Sequence, residues 1–210
     1  MSLAYEYDVF ISYKRYGEWT RWVNETFAAT LHQHLAMELG REPRIFVDTR
    51  LESGTDWQKD IANKLAFTRV LVPLFSRMYF CSEWCLRELY AIRHVESHFG
   101  LRTNHSPGGL IVPACIHDGR KEDLPAHLHD CCDIQSHDFS EFAITCLQRT
   151  SATFERFETA LKAWTVSSLK PAILRSEQNT LTKKIAEDIQ KFRFPCPAPA
   201  TPAGSPPFFA

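Results

Sequence analysis

A near-continuous apolar run, Val70-Leu-Val-Pro-Leu-Phe75, limits how this chain can fold more than any other segment does. A strand with one face in water alternates apolar and polar side chains, whereas a strand covered on both faces is apolar throughout. The run is therefore predicted to be a buried strand of a parallel sheet. Pro73 has no N–H group to donate, which places it near the end of the strand or at a bulge.

Strand-like and helix-like segments alternate on either side of this run. Further strands are predicted at Tyr7–Tyr13, Arg44–Val47, Leu110–Cys115 and Cys132–Ile134. Helices are predicted from Trp19 to Leu39 with Gly40 as the stop, from Thr55 with Gln58 completing a capping box, and from Ser82 to His98. Alternation of this kind predicts an α/β fold, in which a parallel sheet has helices on both faces. Ligands of such sheets bind outside the carboxyl ends of the strands, so the loops after Tyr13, Val47, Phe75 and Cys115 become the candidate site.

Two further segments follow the predicted α/β domain, which covers residues 1–145. Residues 146–193 have only helical periodicity, and Pro171 is predicted to break that helix. Residues 194–210 are rich in proline and are predicted to form an extended linker. A linker in this position predicts a further domain or a partner beyond it.

Charge and cysteine content exclude several classes of partner. With 24 basic and 25 acidic residues, the formal net charge of −1 creates no field that would attract nucleic acid or an anionic membrane. Neither a membrane-spanning stretch nor a signal peptide is evident. Seven cysteines are irregularly spaced, and Cys81, Cys85, Cys115, Cys132 and Cys146 accompany apolar runs. Free buried thiols in a reducing compartment are predicted, and hence a cytoplasmic protein.

Glu88 is the carboxylate that helical geometry leaves without a local partner. Its neighbours at i±3 and i±4 are Trp84, Cys85, Ala91 and Ile92, none of which is a cation. Glu83, by contrast, has Arg87 four residues later, in the favoured orientation for a surface ion pair. An unpaired carboxylate on an apolar face is unfavourable unless it has a task or a partner from elsewhere in the chain. Glu88 therefore either binds a distant arginine, caps a loop or serves a function.

Three sequence blocks together resemble the Toll/interleukin-1 receptor (TIR) domain family over residues 5–145. They are Asp8-Val-Phe-Ile-Ser-Tyr-Lys-Arg15, then Ile45-Phe-Val-Asp48 with Leu51-Glu-Ser-Gly54 and Trp57, then Ser76 with Ser82-Glu-Trp-Cys-Leu-Arg-Glu-Leu89. The resemblance implies a flavodoxin-like three-layer sandwich with a central five-stranded parallel sheet. The third block, together with Lys14 and Arg15, is similar to the members that cleave NAD⁺ to nicotinamide and ADP-ribose or a cyclic isomer.

This resemblance implies a role for several residues. Glu88 would be the catalytic carboxylate, and Trp84 would stack on nicotinamide or wall the pocket. The substrate-binding residues would be Tyr13, Lys14, Arg15, Asp48, Leu51, Gly54 and Trp84. Of these, Lys14 and Arg15 would hold the pyrophosphate or a ribose, and Asp48 would bind a hydroxyl or only shape its turn. NAD⁺ would be the consumed substrate, with no cofactor and no metal.

The family resemblance also implies that activity depends on assembly with other TIR domains, in bacterial immunity or virulence. A non-enzymatic TIR scaffold that signals through TIR–TIR contacts remains the alternative. A flavodoxin-like receiver or nucleotide sensor is a third class. The sequence has no phosphate-cradling glycine-rich loop, which counts against a dinucleotide-binding dehydrogenase. The cluster His127-Leu-His-Asp-Cys-Cys132 matches no common zinc spacing, so a metal site is not predicted.

Overall fold

A parallel sheet of five strands forms the centre of the structure, which is a computed structural model describing residues 2–48, 57–117, 134–143, 147–179 and 181–191. The strands are β1 (Ser2–Leu3), β2 (Tyr7–Ser12), β3 (Ile45–Val47), β4 (Thr68–Ser76), β5 (Ala114–His117), β6 (His137–Asp138) and β7 (Leu181–Thr182). The central sheet has the order β3-β2-β4-β5-β6, and β1 pairs with β7 in a separate antiparallel ribbon. This order is that of flavodoxin-like folds, so the predicted fold class is confirmed.

Helices cover both faces of the sheet. They are α1 (Gly17–Trp22), α2 (Ala29–Leu39), α3 (Trp57–Ala66), α4 (Arg77–Phe80), α5 (Glu83–His98), α6 (Ala152–Trp164), α7 (Lys170–Glu177) and α8 (Lys183–Lys191). A π-helical segment, Val23–Ala28, joins α1 to α2, and another, Thr165–Leu169, joins α6 to α7. Gly40 ends α2 with φ at 65°, the left-handed conformation expected of a glycine stop.

The alternation of side chains along each strand divides the core into two clusters. Val9 and Ile11 of β2 pack with α1, α2, α6 and α7 on one face of the sheet. Phe10, between them, packs with α3, α5 and α8 on the other face. β4 is buried on both faces except at Arg69, which agrees with its continuous apolar sequence. Because α6 and α7 cover one face directly, these helices form part of the three-layer sandwich.

Several predicted boundaries differ from the observed ones. Among the described residues, the last strand of the sheet is His137–Asp138. Of the predicted strand at 132–134, residues 132 and 133 lie outside the described residues, and Ile134 is a buried core residue that is not part of a strand. Both residues of β6 are exposed, so hydropathy carries no signal for this edge strand. β5 begins at Ala114 because Pro113 cannot donate to the ladder, although Ile111 still bridges to Leu71.

The C-terminal helices also differ from prediction. The helix continues through Pro171 instead of breaking, because the proline lies in the first turn of α7, directly after the π-helical segment. The region is not wholly helical either, since Leu181–Thr182 pairs with Ser2–Leu3. Residues 49–56, which include the predicted capping residue Thr55, lie outside the described residues, as do residues 192–210 with the predicted linker. The described helices include none with the length and apolarity needed to cross a membrane.

Candidate functional site

A pocket of about 130 Å³ opens at the carboxyl end of β2, between that strand, the end of β3 and the start of α5. Its lining residues are Phe10, Ile11, Ser12, Tyr13, Lys14, Arg15, Asp48, Ser82, Trp84, Cys85 and Glu88. Six of the eight residues predicted for the site are therefore brought together here. The other two, Leu51 and Gly54, lie outside the described residues.

The start of α5 places Glu88 at the inner end of this pocket. Ser82 caps the helix by accepting a hydrogen bond from the Cys85 N–H at 3.4 Å. Glu88 follows in the second turn with only 6% of its surface exposed. Ser12, the last residue of β2, lies on the same face of the sheet as Phe10 and so points toward α5. Its hydroxyl Oγ lies 2.5 Å from Glu88 Oε2.

Ser12 and Glu88 belong to a buried chain of hydrogen bonds. Ser12 Oγ also lies 3.1 Å from the Tyr79 hydroxyl, which donates to the Cys85 carbonyl oxygen at 3.1 Å. A serine hydroxyl has one proton, so Ser12 donates to only one of its two neighbours at a time. When Glu88 is ionised, Ser12 donates to the carboxylate. When Glu88 is neutral, its own proton can go to Ser12, which then donates to Tyr79. Both protonation states are thus accommodated without an unpaired group.

The environment of Glu88 favours its neutral form. Burial raises the pKa of Glu88 to about 8, since a charge is poorly solvated there, and the nearby Asp48 carboxylate acts in the same direction. The hydrogen bond from Ser12, the nearby Trp84 indole N–H group and the charge of Arg15 partly oppose this rise in the pKa. None of the helical neighbours of Glu88 is a cation, but Trp84 still influences its pKa.

Two other buried carboxylates, Asp8 and Glu96, have environments of a different kind. Arg41 binds both oxygens of Asp8, at 2.6 and 2.7 Å. Burial alone would raise the pKa of Asp8, but the hydrogen bonds and charges around it hold that pKa below its usual value. Arg102 binds Glu96 through two hydrogen bonds of 2.9 Å. Among the described residues no lysine or arginine lies within ion-pair distance of Glu88, which distinguishes it from both structural carboxylates.

Trp84 and Arg87 occupy the outer part of the same helix. The Trp84 ring is half-buried and lines the pocket, and the Arg87 guanidinium lies 5.6 Å from its centre. Arg87 also forms the predicted ion pair with Glu83. The pair holds Arg87 beside Trp84, outside ion-pair distance of Glu88. Trp84 is therefore placed to contact a ligand ring that enters the pocket.

The opposite wall of the pocket comes from the segment after β2. Arg15 Nη2 lies 3.4 Å from Asp48 Oδ2, so these two predicted residues pair with each other. Burial raises the pKa of Asp48 above its usual value, an effect that Arg15 opposes. The Tyr13 hydroxyl donates to the Asp48 carbonyl oxygen at 3.3 Å. Lys14, which is exposed, adds a second positive charge to the pocket rim.

The comparisons with known proteins give the family. The TIR domain family model matches residues 9–150, more than half of the chain. This chain belongs to the TIR domain family. Disease resistance protein RUN1 from Vitis rotundifolia is 33% identical over 112 residues, which are 53% of this TIR chain and only 7% of that relative.

Two solved structures of TIR domains are similar to this TIR chain at low identity. One contains the TIR domains of the activated Roq1 resistosome directly recognizing the pathogen effector XopQ, with 20% identity and a TM-score of 0.40 over 83% of this chain and 99% of that chain. The other is the TIR domain of the Toll-related receptor TRR-2 from Hydra magnipapillata, with 16% identity and a TM-score of 0.42 over 74% of this chain and 98% of that chain.

Among the described residues of this TIR domain, no cysteine provides a nucleophile at the site. Cys85 is a free thiol in the pocket wall, and burial, aided by Glu88, raises its pKa to about 12, so it stays neutral and unreactive. Cys115 is buried as predicted, whereas Cys81 is exposed, contrary to the prediction, because it falls in the turn between α4 and α5. Cys132 and Cys146 lie outside the described residues. Within those residues, no three His, Cys, Asp or Glu side chains converge as metal ligands would.

Sequence reasoning missed Ser12 and Tyr79 as members of the site. A signal for Ser12 existed, since it is a polar residue on the same strand face as Phe10, where an apolar residue would be expected. Tyr79 gave no signal, because an aromatic residue in α4 reads as ordinary core. Its hydroxyl joins the buried chain of hydrogen bonds only because β2 and α5 pack against each other.

Proposed function

We propose that this TIR domain is an NAD⁺ glycohydrolase, which cleaves the bond between nicotinamide and ribose with Glu88 as its catalytic carboxylate. The observation that carries the proposal is a buried carboxylate, without a cationic partner among the described residues, at the end of a pocket on the ligand-binding edge of the sheet. An aromatic ring and two cations line the same pocket. The nicotinamide ring of NAD⁺ would contact the aromatic ring, the positive charge of nicotinamide would lie near the carboxylate, and the pyrophosphate would meet the two cations.

The chemistry requires stabilisation of positive charge rather than acid catalysis. As the glycosidic bond breaks, its electron pair goes to the nicotinamide nitrogen, which becomes neutral and needs no proton. The ribose meanwhile becomes oxocarbenium-like, as in glycoside hydrolysis. An ionised Glu88 beside this centre stabilises the developing charge. Water then adds to the ribose carbon, Glu88 accepts the proton that the water loses, and that proton passes on to solvent.

The raised pKa of Glu88 is compatible with this role. The free carboxyl is largely neutral at pH 7, since burial raises its pKa to about 8. Binding of the cationic nicotinamide ring favours the ionised form, because an opposite charge nearby lowers the pKa of a carboxyl. Substrate binding would thus release a proton and create the carboxylate where it is needed.

Activation by self-association with other TIR domains, in bacterial immunity or virulence, forms part of this proposal and rests on the family resemblance. The small volume of the pocket supports it, since a neighbouring TIR domain can supply further walls. Specific activity should then rise with protein concentration. Whether the product is linear or cyclic ADP-ribose depends on whether water or a group of the substrate itself attacks the ribose.

Nicotinamide release decides the proposal. The wild-type protein, Glu88→Gln and Glu88→Ala should be incubated with NAD⁺ at high protein concentration and under crowding, with product separated by chromatography. Glu83→Gln is the matched control, since Glu83 is exposed on the same helix, five residues before Glu88. Release by wild type and Glu83→Gln, with loss in both Glu88 variants, is expected. An assembled wild-type protein that releases nothing would leave the non-enzymatic scaffold as the better account.

A further inference from the structure

The Glu88 pocket is too small for a whole dinucleotide. Its volume is about 130 Å³, whereas pockets that enclose a complete organic ligand occupy about 300–1,000 Å³. If the nicotinamide end enters this pocket, as proposed above, the other end of NAD⁺ has to lie elsewhere along the same edge of the sheet. A second cavity at that edge is therefore of interest.

That second cavity has a volume of about 560 Å³ and lies on the other side of the segment following β2. Residues 16–19 at the start of α1 form one wall, Arg77 and Met78 of α4 form another, and His117 at the end of β5 completes it. These residues follow the carboxyl ends of β2, β4 and β5. The sheet changes direction of winding between β2 and β4, which is where ligands of open α/β sheets bind.

Aromatic and sulfur-containing side chains line this cavity. The ring centres of Trp19 and His117 are 4.8 Å apart, and their planes are inclined by 45°. Tyr16 and Met78 leave 62% and 38% of their surfaces exposed, although large apolar side chains are mostly buried in this domain. An exposed aromatic ring such as that of Tyr16, beside the rings of Trp19 and His117, forms a surface on which nucleic-acid bases stack. The lining therefore favours a flat aromatic ligand.

The two cavities are adjacent along the chain. Arg15 lines the Glu88 pocket and Tyr16, the next residue, lines the second cavity. Gly17 follows with φ at 49°, a left-handed conformation that glycine adopts without strain, and it turns the chain into α1. Lys14 and Arg15 thus stand on the segment that separates the cavities, and Arg77 adds a cation to the second. A pyrophosphate that crossed this segment would meet positive charge.

We infer that the second cavity binds the purine base of a nucleotide, with Tyr16 as the stacking residue. Within the proposed reaction, which this inference extends, that base is the adenine half of NAD⁺. The substrate would then bind with nicotinamide beside Glu88, its phosphates across Lys14 and Arg15, and adenine against Tyr16 and Met78. A side chain from a second copy of this domain is the competing occupant.

Binding of adenosine monophosphate tests the inference without requiring turnover. Calorimetric titration would compare wild type, Tyr16→Ala, Tyr16→Phe and Glu88→Gln, with ribose 5-phosphate as the probe that lacks a base. Met37→Ala is the control for loss of an exposed apolar side chain, since Met37 is 67% exposed on α2, outside both cavities. Tyr16→Ala should weaken adenosine monophosphate binding by about fivefold or more. Tyr16→Phe, Met37→Ala and Glu88→Gln should bind it as wild type does.

Three results would overturn the inference. The first is equal affinity of wild type and Tyr16→Ala for adenosine monophosphate. The second is a wild-type protein that binds ribose 5-phosphate as tightly as adenosine monophosphate. The third is a change in self-association with Tyr16→Ala while nucleotide affinity stays constant. In steady-state assays, Tyr16→Ala should raise the KM for NAD⁺ and leave kcat nearly unchanged. If no protein releases nicotinamide but Tyr16 still governs nucleotide affinity, NAD⁺ cleavage is rejected and the base-binding cavity stands.

Discussion

Ser12 Oγ lies 2.5 Å from Glu88 Oε2, and this contact joins the end of β2 to the second turn of α5 across 76 positions of sequence. A serine is a weak partner for a buried carboxylate, because it supplies a hydrogen bond without a charge. It leaves Glu88 able to change protonation state, as the arginine partners of Asp8 and Glu96 do not.

The proposed reaction should depend on pH through Glu88. Because the ionised form is the active one and burial raises the pKa of Glu88 to about 8, kcat/KM for NAD⁺ should increase with pH up to that value and then level off. Rates measured from pH 6 to 9.5 at fixed ionic strength check this. A profile that is flat, or that falls as pH increases over this range, would contradict the role of the carboxylate.

Substitutions at Ser12 and Tyr79 should move that pH midpoint in opposite directions. Ser12→Ala removes the hydroxyl that lowers the pKa of Glu88, so the midpoint should rise. Tyr79→Phe removes the group that accepts from Ser12 when Glu88 is neutral, so the midpoint should fall. The shifts are read from the same kcat/KM profiles. Equal shifts in one direction would indicate general loosening of the fold rather than these hydrogen bonds.

Glu88 should reduce stability at alkaline pH. The unfolded chain ionises this carboxyl near its usual pKa of 4.5, while the folded state holds the proton up to about 8. Between these values the folded state binds more protons, so its stability falls as pH rises, by an amount on the order of a few kcal/mol. Glu88→Gln lacks this effect and should exceed wild type in Tm by a margin that grows from pH 5 to pH 8.

Thermal unfolding of wild type, Glu88→Gln and Glu83→Gln at several pH values measures that margin. The exposed residue Glu83 should show no comparable dependence on pH. A constant difference between wild type and Glu88→Gln across the range would mean that the carboxyl pKa is not raised in the folded protein.

Glu96 should behave as a structural carboxylate, in contrast to Glu88. It accepts hydrogen bonds from Arg102 and from the N–H groups of Leu110 and Ile111, which fix the chain leading into β5. Glu96→Ala should therefore lower the free energy of unfolding by about 2–4 kcal/mol. Urea denaturation measures this loss.

Nicotinamide release per folded molecule should remain unchanged in Glu96→Ala. Eight residues separate Glu96 from Glu88 on α5, a distance of about 12 Å along the helix. Loss of activity in Glu96→Ala without loss of stability would contradict the division between the two carboxylates.

The amino-acid sequence by itself determined the architecture of this domain. The apolar run in β4 and the helical periodicity of α2 and α5 are local patterns, because the spacing of apolar residues follows the faces that are buried. These patterns therefore predicted the layers of the fold and the ligand-binding edge of the sheet. Edge strand β6 escaped prediction because both of its residues are exposed, and hydrogen bonding to β5 alone defines it. The prediction that Pro171 breaks the helix was wrong, because its position within the helical turn depends on the π-helical segment before it.

Only the tertiary structure determined the different environments of Asp8, Glu88 and Glu96. Asp8 receives Arg41 from 33 positions away, while Glu88 receives Ser12 and no cation from the described residues. Helical spacing showed that Glu88 had no cation nearby, but it could not show which distant side chain would approach. The reason is physical: a pKa depends on solvation and charge within a few ångströms, and the folding of remote segments brings those neighbours together. The sequence therefore identified Glu88 as a candidate, and the packing of β2 against α5 created the environment expected of a catalytic residue.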